Sequence, residues 1–396
     1  MASITWLPPI DSPKALWYRQ VPQRVNGEGI TRARRLARGV RPMRCIAPQF
    51  EAVLVMGPNW VGDAVMSTPL LANLRRALPQ ARIDFLVPRY MAPLFEEHPA
   101  IDRVLIRDDR LPWPGRLADL MALRRHKYNA AILLPNSLRA ALYGWLVGSP
   151  VRVGYATDGR RWLLTHPVQA KKGGAPPHQV EAYLQLLGAI GLPVVEQSPM
   201  LAVTAKAERA ADHLWTTHGL GRDDRVVGIC PGAAFGPAKR WWPERFAALA
   251  DRLIVEQGCR VVFFGSPPEI PLVERIRTVM VQEATSLAGR DRLDSFVALA
   301  TRCTLMVTND SGSMHLASAV GVPVVSVFGP TDPRRTGPIS RVATVVRHDL
   351  PCSPCFRTTC PFADHPCMRL IEADEVYDAV SDTLESTRAH GAKSRV

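Results

Sequence analysis

From residue 52 onwards, short apolar runs alternate with longer segments in which apolar residues recur at helical spacing. Short continuous apolar runs are typical of strands buried on both faces, as in parallel sheets. Eight such runs predict strands, at Ala52–Met56, Ile83–Pro88, Arg103–Ile106, Ala130–Pro135, Val226–Cys230, Arg260–Gly265, Thr304–Thr308 and Val322–Gly329. Helical spacing predicts helices at Ala64–Leu78, His178–Ile190, Pro243–Glu256, Pro271–Gln282, Ser313–Val320 and Asp374–Thr387.

This strand–helix alternation occurs twice, on either side of Gly191–Thr204, a stretch with two prolines and no clear period that reads as a linker. We therefore predict an α/β protein with two Rossmann-like domains facing a central cleft. Their predicted ranges are 49–200 and 201–396, and the second includes a final helix over 374–387. Ligands of such sheets lie at the carboxyl ends of the strands, so the loops after the strands are the expected place for chemistry.

The positive charge is concentrated in the first half of the chain. The net charge is +13, and residues 1–50 carry nine Lys and Arg against two Asp and Glu. Such a field favours an acidic partner, namely nucleic acid, an anionic membrane surface or a phosphorylated substrate. Residues 1–48 lack helical or strand periodicity, so we predict a flexible basic extension; alternatives are an arm that touches anionic lipid, or sequence upstream of a start at Met43.

No targeting or spanning segment is expected in this sequence. The longest nearly apolar stretch, Leu316–Phe328, is too short and too interrupted for a membrane span. Met1–Pro9 is not followed by a signal-peptide cleavage site.

The first predicted strand leads into a loop, Gly57–Asp63, whose glycines have the spacing of a phosphate-binding loop. Asp63 stands where that motif requires lysine, and a carboxylate there would repel phosphate. Taken alone, Asp63 is better interpreted as the cap of the following helix. The functional alternative is a general base in the cleft, with a pKa lowered by the helix start and raised by desolvation.

Two loops in the second half of the chain are candidates for binding an anion. In Pro231–Pro243, small residues are followed by Lys239 and Arg240 beside a helix start; the alternative is a solvated basic turn. In Val307–His315, the free N–H groups of a helix start at Ser311 and Gly312 are suited to a diphosphate. There, Asp310 is a cap or an acceptor for a ligand hydroxyl, and His315 contacts phosphate or is a packed side chain.

Four of the eight cysteines are clustered, with the spacing C-x₂-C-x₄-C-x₆-C from Cys352 to Cys367. Four thiolates are able to bind zinc, but this spacing differs from the common paired knuckles. Reduced thiols or a disulfide-stapled loop are the favoured alternatives. The other four cysteines, Cys45, Cys230, Cys259 and Cys303, are scattered and are expected to be free thiols, most of them buried.

Three segments together resemble the lipopolysaccharide heptosyltransferases of glycosyltransferase family 9. They are VLVMGPNWVGDAVMSTPLL from Val53, CPGAAFGPAKRWWPERFAALA from Cys230 and VTNDSGSMHLASAVGVPVVSVFGPTDP from Val307. The resemblance covers roughly residues 51–387. It implies a GT-B fold and a soluble enzyme at the cytoplasmic face of the inner membrane, which moves L-glycero-D-manno-heptose from ADP-heptose to the first heptose of a heptosyl-Kdo₂-lipid A acceptor.

Carried over by position, the resemblance implies that Asp63 is the catalytic aspartate and that Lys239 binds phosphate and takes part in catalysis. It also implies that Asp310, Ser311, Gly312 and His315 form the turn that binds ADP-heptose, with Arg240 beside them. No cofactor or metal is expected, since the chain has no Asp-x-Asp pair of the kind that holds a divalent ion in many sugar transferases. Charge neutralisation then falls to Lys239, Arg240 and the helix start.

Other functions stay open from the sequence. One is a different family 9 transferase, such as one acting on an acceptor without the first heptose, and another is a non-catalytic nucleotide-sugar-binding protein. Nucleic-acid binding is disfavoured, because aromatic residues are 7% of the chain and none lies between Tyr18 and Phe50.

Overall fold

A computed structural model describes residues 50–170, 173, 175–290, 292–340 and 342–393. The predicted extension over residues 1–48 and Cys45 lie outside them. The described chain contains two parallel sheets of six strands, with the orders β3-β2-β1-β4-β5-β6 and β12-β11-β10-β7-β8-β9. The strands are β1 Ala52–Met56, β2 Arg82–Pro88, β3 Arg103–Arg107, β4 Ala130–Leu133, β5 Val151–Tyr155, β6 His166–Val168, β7 Val226–Cys230, β8 Arg260–Phe263, β9 Thr285–Ser286, β10 Leu305–Asn309, β11 Val324–Val327 and β12 Ala343–Val346.

Both sheets have the doubly wound arrangement, in which the order of the strands along the sheet reverses beside the first strand. The reversal lies between β1 and β4 in the first sheet and between β7 and β10 in the second, and these central strands are fully buried. The prediction of two parallel-sheet α/β domains is therefore confirmed. Residues 191–204, all of them described, form neither helix nor strand, while the domain limits within that stretch stay a prediction.

Thirteen α-helices are found in the described residues, most of them covering the sheets. They are α1 Val61–Met66, α2 Thr68–Ala77, α3 Trp113–Arg124, α4 Leu138–Leu146, α5 Gln179–Gly188, α6 Ala205–Thr217, α7 Pro243–Gln257, α8 Ile270–Val279, α9 Leu293–Ala300, α10 Gly312–Ala319, α11 Pro333–Thr336, α12 Pro366–Arg369 and α13 Ala373–Lys393. Short 3₁₀ helices cover Arg89–Leu94, Arg161–Leu163, Pro237–Lys239 and Pro267–Glu269.

The predicted helix Ala64–Leu78 is wrong at its start and in its continuity. Helix α1 begins at Val61 and is separated from α2 at Ser67, just before Pro69, which lacks the N–H needed to continue a helical ladder. The hydroxyls of Ser67 and Thr68 donate to the carbonyls of Ala64 and Val65 at the break. At the other end of the chain, the final helix extends over Ala373–Lys393, beyond the predicted 374–387.

The two domains are packed against each other. One cluster of buried apolar side chains runs from Val53 and Val55 in the first sheet to Met314 and Phe328 in the second domain. Helix α9 packs against the 3₁₀ turn at Arg89–Leu94, and α1 packs against α10. Across the part of the chain that the structure describes, no helix is both long and apolar enough to cross a membrane.

Candidate active site

Two short helices from opposite domains meet at glycines. A Cβ atom added to Gly62 of α1 would lie 2.6 Å from Cδ2 of His315 in α10, and one added to Gly312 would lie 3.2 Å from Cβ of Val61. Only hydrogen atoms at these two positions allow the helices to approach so closely. The contact brings Asp63, one residue after Gly62, to the loops of the second domain.

Asp63 does not cap a helix, which corrects the simpler of its two interpretations. It is the third residue of α1, whose N-cap is Trp60, and that cap makes no side-chain hydrogen bond. Burial raises the pKa of the Asp63 carboxyl to about 6; the Lys239 ammonium lowers it and the Asp310 carboxylate raises it to smaller extents. A carboxylate in this environment has the proton affinity that a general base requires near neutral pH.

Lys239 and Asp310 form a buried ion pair on the opposite side of the cleft. The Lys239 Nζ lies 2.5 Å from Asp310 Oδ2 and 4.7 Å from the centre of the Phe235 ring. Lys239 is 9% exposed and Asp310 is 4% exposed. The Thr331 hydroxyl donates to the same carboxylate oxygen at 2.5 Å. Because both charges are paired and hydrogen-bonded, they are held in one geometry beside Asp63.

The start of α10 lies next to this ion pair, because Asp310 directly precedes its N-cap. Ser311 is the N-cap, and its hydroxyl contacts the Ser313 hydroxyl at 2.7 Å instead of capping the backbone. The first N–H groups of a helix have no partner within the helix, so those at Gly312 and Ser313 are suited to an anion.

His315 lies in the same helix and is 6% exposed. Burial lowers its pKa to about 4, with smaller effects from Asp310, His178 and Lys239. The imidazole is therefore neutral at physiological pH. It is able to donate or accept a hydrogen bond beside a phosphate but adds no positive charge.

Arg240 differs from its neighbour Lys239. It is exposed, and its Nη2 lies 3.5 Å from the Ala233 carbonyl oxygen. The structure therefore brings Asp63, Lys239, Asp310, Ser311, Gly312 and His315 together and places Arg240 at the edge of the group.

Three further residues at this site were missed in the sequence. The Asn309 side chain accepts a hydrogen bond from the Trp241 amide at 3.1 Å and donates to the Pro231 carbonyl at 2.7 Å, which links both ends of the Lys239 loop to β10. Glu269 lies against Gly232, where an added Cβ would be 1.8 Å from its Oε1. Tyr183 of α5 is buried, and the Asp63 charge contributes to raising its pKa.

Of these three, Asn309 had a usable sequence signal, because it lies at the end of a buried strand directly before Asp310. Glu269 and Tyr183 had none, since each reaches the site from a different element.

A second group of polar side chains lies at the carboxyl ends of β1 and β4. A small cavity there is lined in part by Asn59, Arg107, Arg139 and Tyr143. Among the residues that the structure describes, the buried Tyr143 hydroxyl finds no hydrogen-bond partner. Arg160, near this cavity in the same domain, is fully buried, and its guanidinium donates to carbonyls such as that of Tyr155. It therefore supports the fold of this loop and is not open to a substrate.

Two facing Rossmann-like domains, with a carboxylate from one and a cation, a carboxylate and a helix start from the other, define a glycosyltransferase of the two-domain type. The model of glycosyltransferase family 9 (heptosyltransferase) matches residues 116–365. The chain belongs to this family, as its three sequence motifs predicted.

Named relatives agree with the family match. The chain is 35% identical to lipopolysaccharide heptosyltransferase 2 of Escherichia coli over 309 residues, which are 74% of this chain and 87% of that protein. It is 34% identical to lipooligosaccharide heptosyltransferase 2 of Haemophilus influenzae, over 74% of this chain and 88% of that protein. The solved structure of E. coli ADP-heptose heptosyltransferase II superposes with a TM-score of 0.73 at 31% identity, covering 85% of this chain and 99% of that one.

Proposed function

We propose that this chain is an inverting heptosyltransferase, which transfers L-glycero-D-manno-heptose from ADP-heptose to the first heptose of the lipopolysaccharide inner core. Support for the substrates comes from the heptosyltransferase 2 relatives. Support for the reaction comes from one observation above all: the partly buried Asp63 carboxyl lies within electrostatic reach of the Lys239–Asp310 pair across the domain contact.

In this mechanism Asp63 accepts the proton of the acceptor hydroxyl as that oxygen attacks the anomeric carbon of heptose. The bond from the anomeric carbon to the diphosphate oxygen breaks, and ADP leaves with an additional negative charge. Direct displacement inverts the anomeric centre, so no covalent enzyme intermediate forms.

We assign stabilisation of the leaving ADP to three groups. They are the Lys239 ammonium, the N–H groups at the start of α10 and the neutral imidazole of His315. Asp310 positions Lys239 through their ion pair. Glu269 follows β8 beside the glycine of the β7 loop, the place where Rossmann-like domains commonly use a carboxylate to bind ribose hydroxyls, and we assign it that role. Arg240 lies at the rim, and we give it a secondary role in attracting the anionic donor.

The acceptor would bind in the first domain. Arg107 and Arg139, beside the loop that leads to Asp63, are suited to the carboxylates and phosphates of a Kdo₂-lipid A core. An acceptor anchored in lipid would bring the enzyme to the inner face of the inner membrane, and the net charge of +13 favours peripheral contact with an anionic surface.

The test is incubation of the protein with ADP-heptose and defined core acceptors, followed by mass spectrometry of the product and measurement of released ADP. Heptose should be added to an acceptor that carries the first heptose and not to one that lacks it. Transfer only to the acceptor without heptose would contradict this proposal and would indicate the transferase that adds the first heptose. Binding of ADP-heptose with no transfer to either would indicate a nucleotide-sugar-binding protein.

The assignment of Asp63 is tested separately, by replacing it with Asn. Asp63→Asn should lower kcat by about 10²- to 10⁴-fold, because no general base then remains to take the proton from the attacking hydroxyl. Asp108→Asn, at an exposed ion pair of the same domain, is the matched control and should keep its activity. Near-normal turnover of Asp63→Asn would refute the assignment.

A further inference from the structure

The four clustered cysteines surround one cavity. The cavity has a volume of about 270 Å³, and its lining includes all four: Cys352, Cys355, Cys360 and Cys367. Each is a free thiol in the structure. Cys230, Cys259 and Cys303 differ from them, because each is buried in a separate part of the second domain.

The chemistry of this lining is that of a metal site. Four thiolates form a complete donor set for zinc, and they also hold iron–sulfur clusters. Four thiolates around a divalent ion carry a net charge of −2, and the Arg357 side chain, which also lines the cavity, would balance part of it. Disulfides would need these thiols to be joined in pairs, whereas each of them is free in the structure.

The distances between the thiols determine which kind of metal centre fits the cavity. Within the described residues, no three Cys, His, Asp or Glu side chains are already close enough to hold one metal ion. A cluster of several iron atoms tolerates thiolates that are further apart. A single ion would need the four thiols to come closer together than they lie in the structure.

This cysteine segment is attached to two loops of the active site. On one side, the Ala238 amide donates to the Thr358 carbonyl at 3.1 Å, and His365 Nε2 donates to the Ala238 carbonyl at 3.0 Å. Ala238 directly precedes Lys239.

On the other side, the amides of Cys355 and Phe356 donate to the Pro330 carbonyl, one residue before Thr331. Thr331 is the residue that donates to Asp310. The segment therefore contacts the backbone directly before Lys239 and directly before Thr331, the residue that bonds to Asp310.

We propose that Cys352, Cys355, Cys360 and Cys367 bind a metal centre through four thiolates, and that this centre holds the Lys239 turn and the Thr331 loop in place. Binding a divalent ion releases four thiol protons to solvent and forms four metal–sulfur bonds. The centre is structural and takes no part in sugar transfer. Its effect on the active site rests on the role of Lys239 proposed above, whereas metal binding itself does not.

The first test measures metal and sulfide in the full-length protein. The protein carries no histidine tag and is purified without chelator or oxygen from cells grown with zinc and iron. We expect either about one zinc per chain, or iron with a matching amount of acid-labile sulfide and visible absorption. A mercurial reagent that blocks thiols should release the metal. Protein with less than about 0.1 metal per chain, or with disulfides among these cysteines by thiol titration, would overturn the proposal.

Variants then locate the site. Cys352→Ser and Cys360→Ser should each lose most of the metal, whereas Cys303→Ser should keep it, since Cys303 lies just before the amino end of the central strand β10. Unchanged metal content in both cluster variants would refute the assignment. If these variants do not fold, the mercurial release from the wild-type protein decides the question.

The effect on the active site is measured as ADP affinity by calorimetry. Loss of the metal should weaken ADP binding by about three- to tenfold, the size expected when one or two hydrogen-bonded supports are lost. Unchanged ADP affinity after complete metal removal would refute the link to Lys239. ADP binding that is absent even with metal present would instead contradict the proposed function and leave the metal site standing.

Discussion

At the scale of single residues, the charge of Asp63 works against folding. Its pKa rises from 3.8 to about 6 on burial, so the folded protein binds this proton more tightly than the unfolded chain does. Stability therefore falls as pH rises from about 4 to about 6, and the deficit is complete above pH 6. Lys239 offsets only part of the effect of burial. A group retained at such a disadvantage is typical of a functional site.

We therefore predict that Asp63→Asn stabilises the protein while removing activity. At pH 7.5 the free energy of unfolding should increase by about 1–3 kcal/mol, from a pKa shift of roughly two units at 1.4 kcal/mol each. The gain should disappear as pH falls towards 4, where the native carboxyl is already protonated. Chemical unfolding of both proteins at pH 4.5 and 7.5 measures this, with Asp108→Asn as the control that should show no gain. A destabilised Asp63→Asn protein at pH 7.5 would contradict the raised pKa.

The pKa of Asp63 also determines where kcat/KM falls on the acid side of the pH profile. Only the carboxylate form of Asp63 is able to accept a proton, so kcat/KM should fall about tenfold per pH unit below pH 6. The neutral His315, with a pKa of about 4, should add no further change near pH 6. Initial rates between pH 4.5 and 8.5 at low donor concentration give the profile. A fall in kcat/KM that begins only near pH 4 would contradict the raised pKa of Asp63.

At the scale of elements, the crossing of α1 and α10 determines where Asp63 lies. Gly62→Ala would place a methyl group 2.6 Å from the buried His315 ring, so the ring or the two helices must shift. We expect kcat to fall by about 10²-fold, because small misplacement of a catalytic group has effects of this size. Gly188→Ala, at the end of α5, has no atom within 4 Å of the new Cβ and should keep both fold and activity. Steady-state kinetics of both variants, with thermal unfolding as a check on folding, would measure the difference. Equal activity of the two variants would contradict the crossing.

The elements also show what the sequence was able to predict. The central strands were found because strands buried on both faces must be apolar throughout, as in β1 and β7. Four strands were missed. The edge strand β6, with the sequence HPV, and the two-residue β9 carry no such pattern, and β5 and β12 are only partly buried. The break at Ser67 involves the Ser67 and Thr68 hydroxyls, which donate to carbonyls of the preceding turn. The sequence does not show whether a hydroxyl makes such a bond.

The candidate site divides in the same way. Its three loops were predictable because each follows a buried strand, and the carboxyl ends of parallel strands share one edge. That Lys239 pairs with Asp310 while Arg240 remains exposed depends on the turn at Pro237–Lys239, which has no distinctive sequence pattern. The cysteine spacing pointed to a cluster, but its position against Ala238 came only from the fold.

At the scale of the whole molecule, the apolar cluster shared by the two domains keeps the cleft residues together. One polar contact adds to it, because the Nε2 of His178, the N-cap of α5, donates to the Gly337 carbonyl of the second domain at 3.0 Å. The residues assigned to binding the sugar donor, however, all belong to the second domain. ADP binding should therefore depend on Lys239 and not on Asp63, even though the two lie close together.

This separation gives a prediction for ligand-induced stabilisation. ADP at about 100 times its Kd should stabilise the wild-type protein by about 2.7 kcal/mol, a Tm increase on the order of 5 °C. Asp63→Asn should keep this shift, because its role is confined to the acceptor proton. Lys239→Ala should lose most of it, whereas Arg240→Ala, at the exposed neighbour, should keep most of it. Each shift is measured against the same variant without ADP, so a change in intrinsic stability cancels. A full shift in Lys239→Ala would contradict the placing of the diphosphate at the Lys239–Asp310 pair, and a lost shift in Asp63→Asn would contradict the division of labour between the two domains.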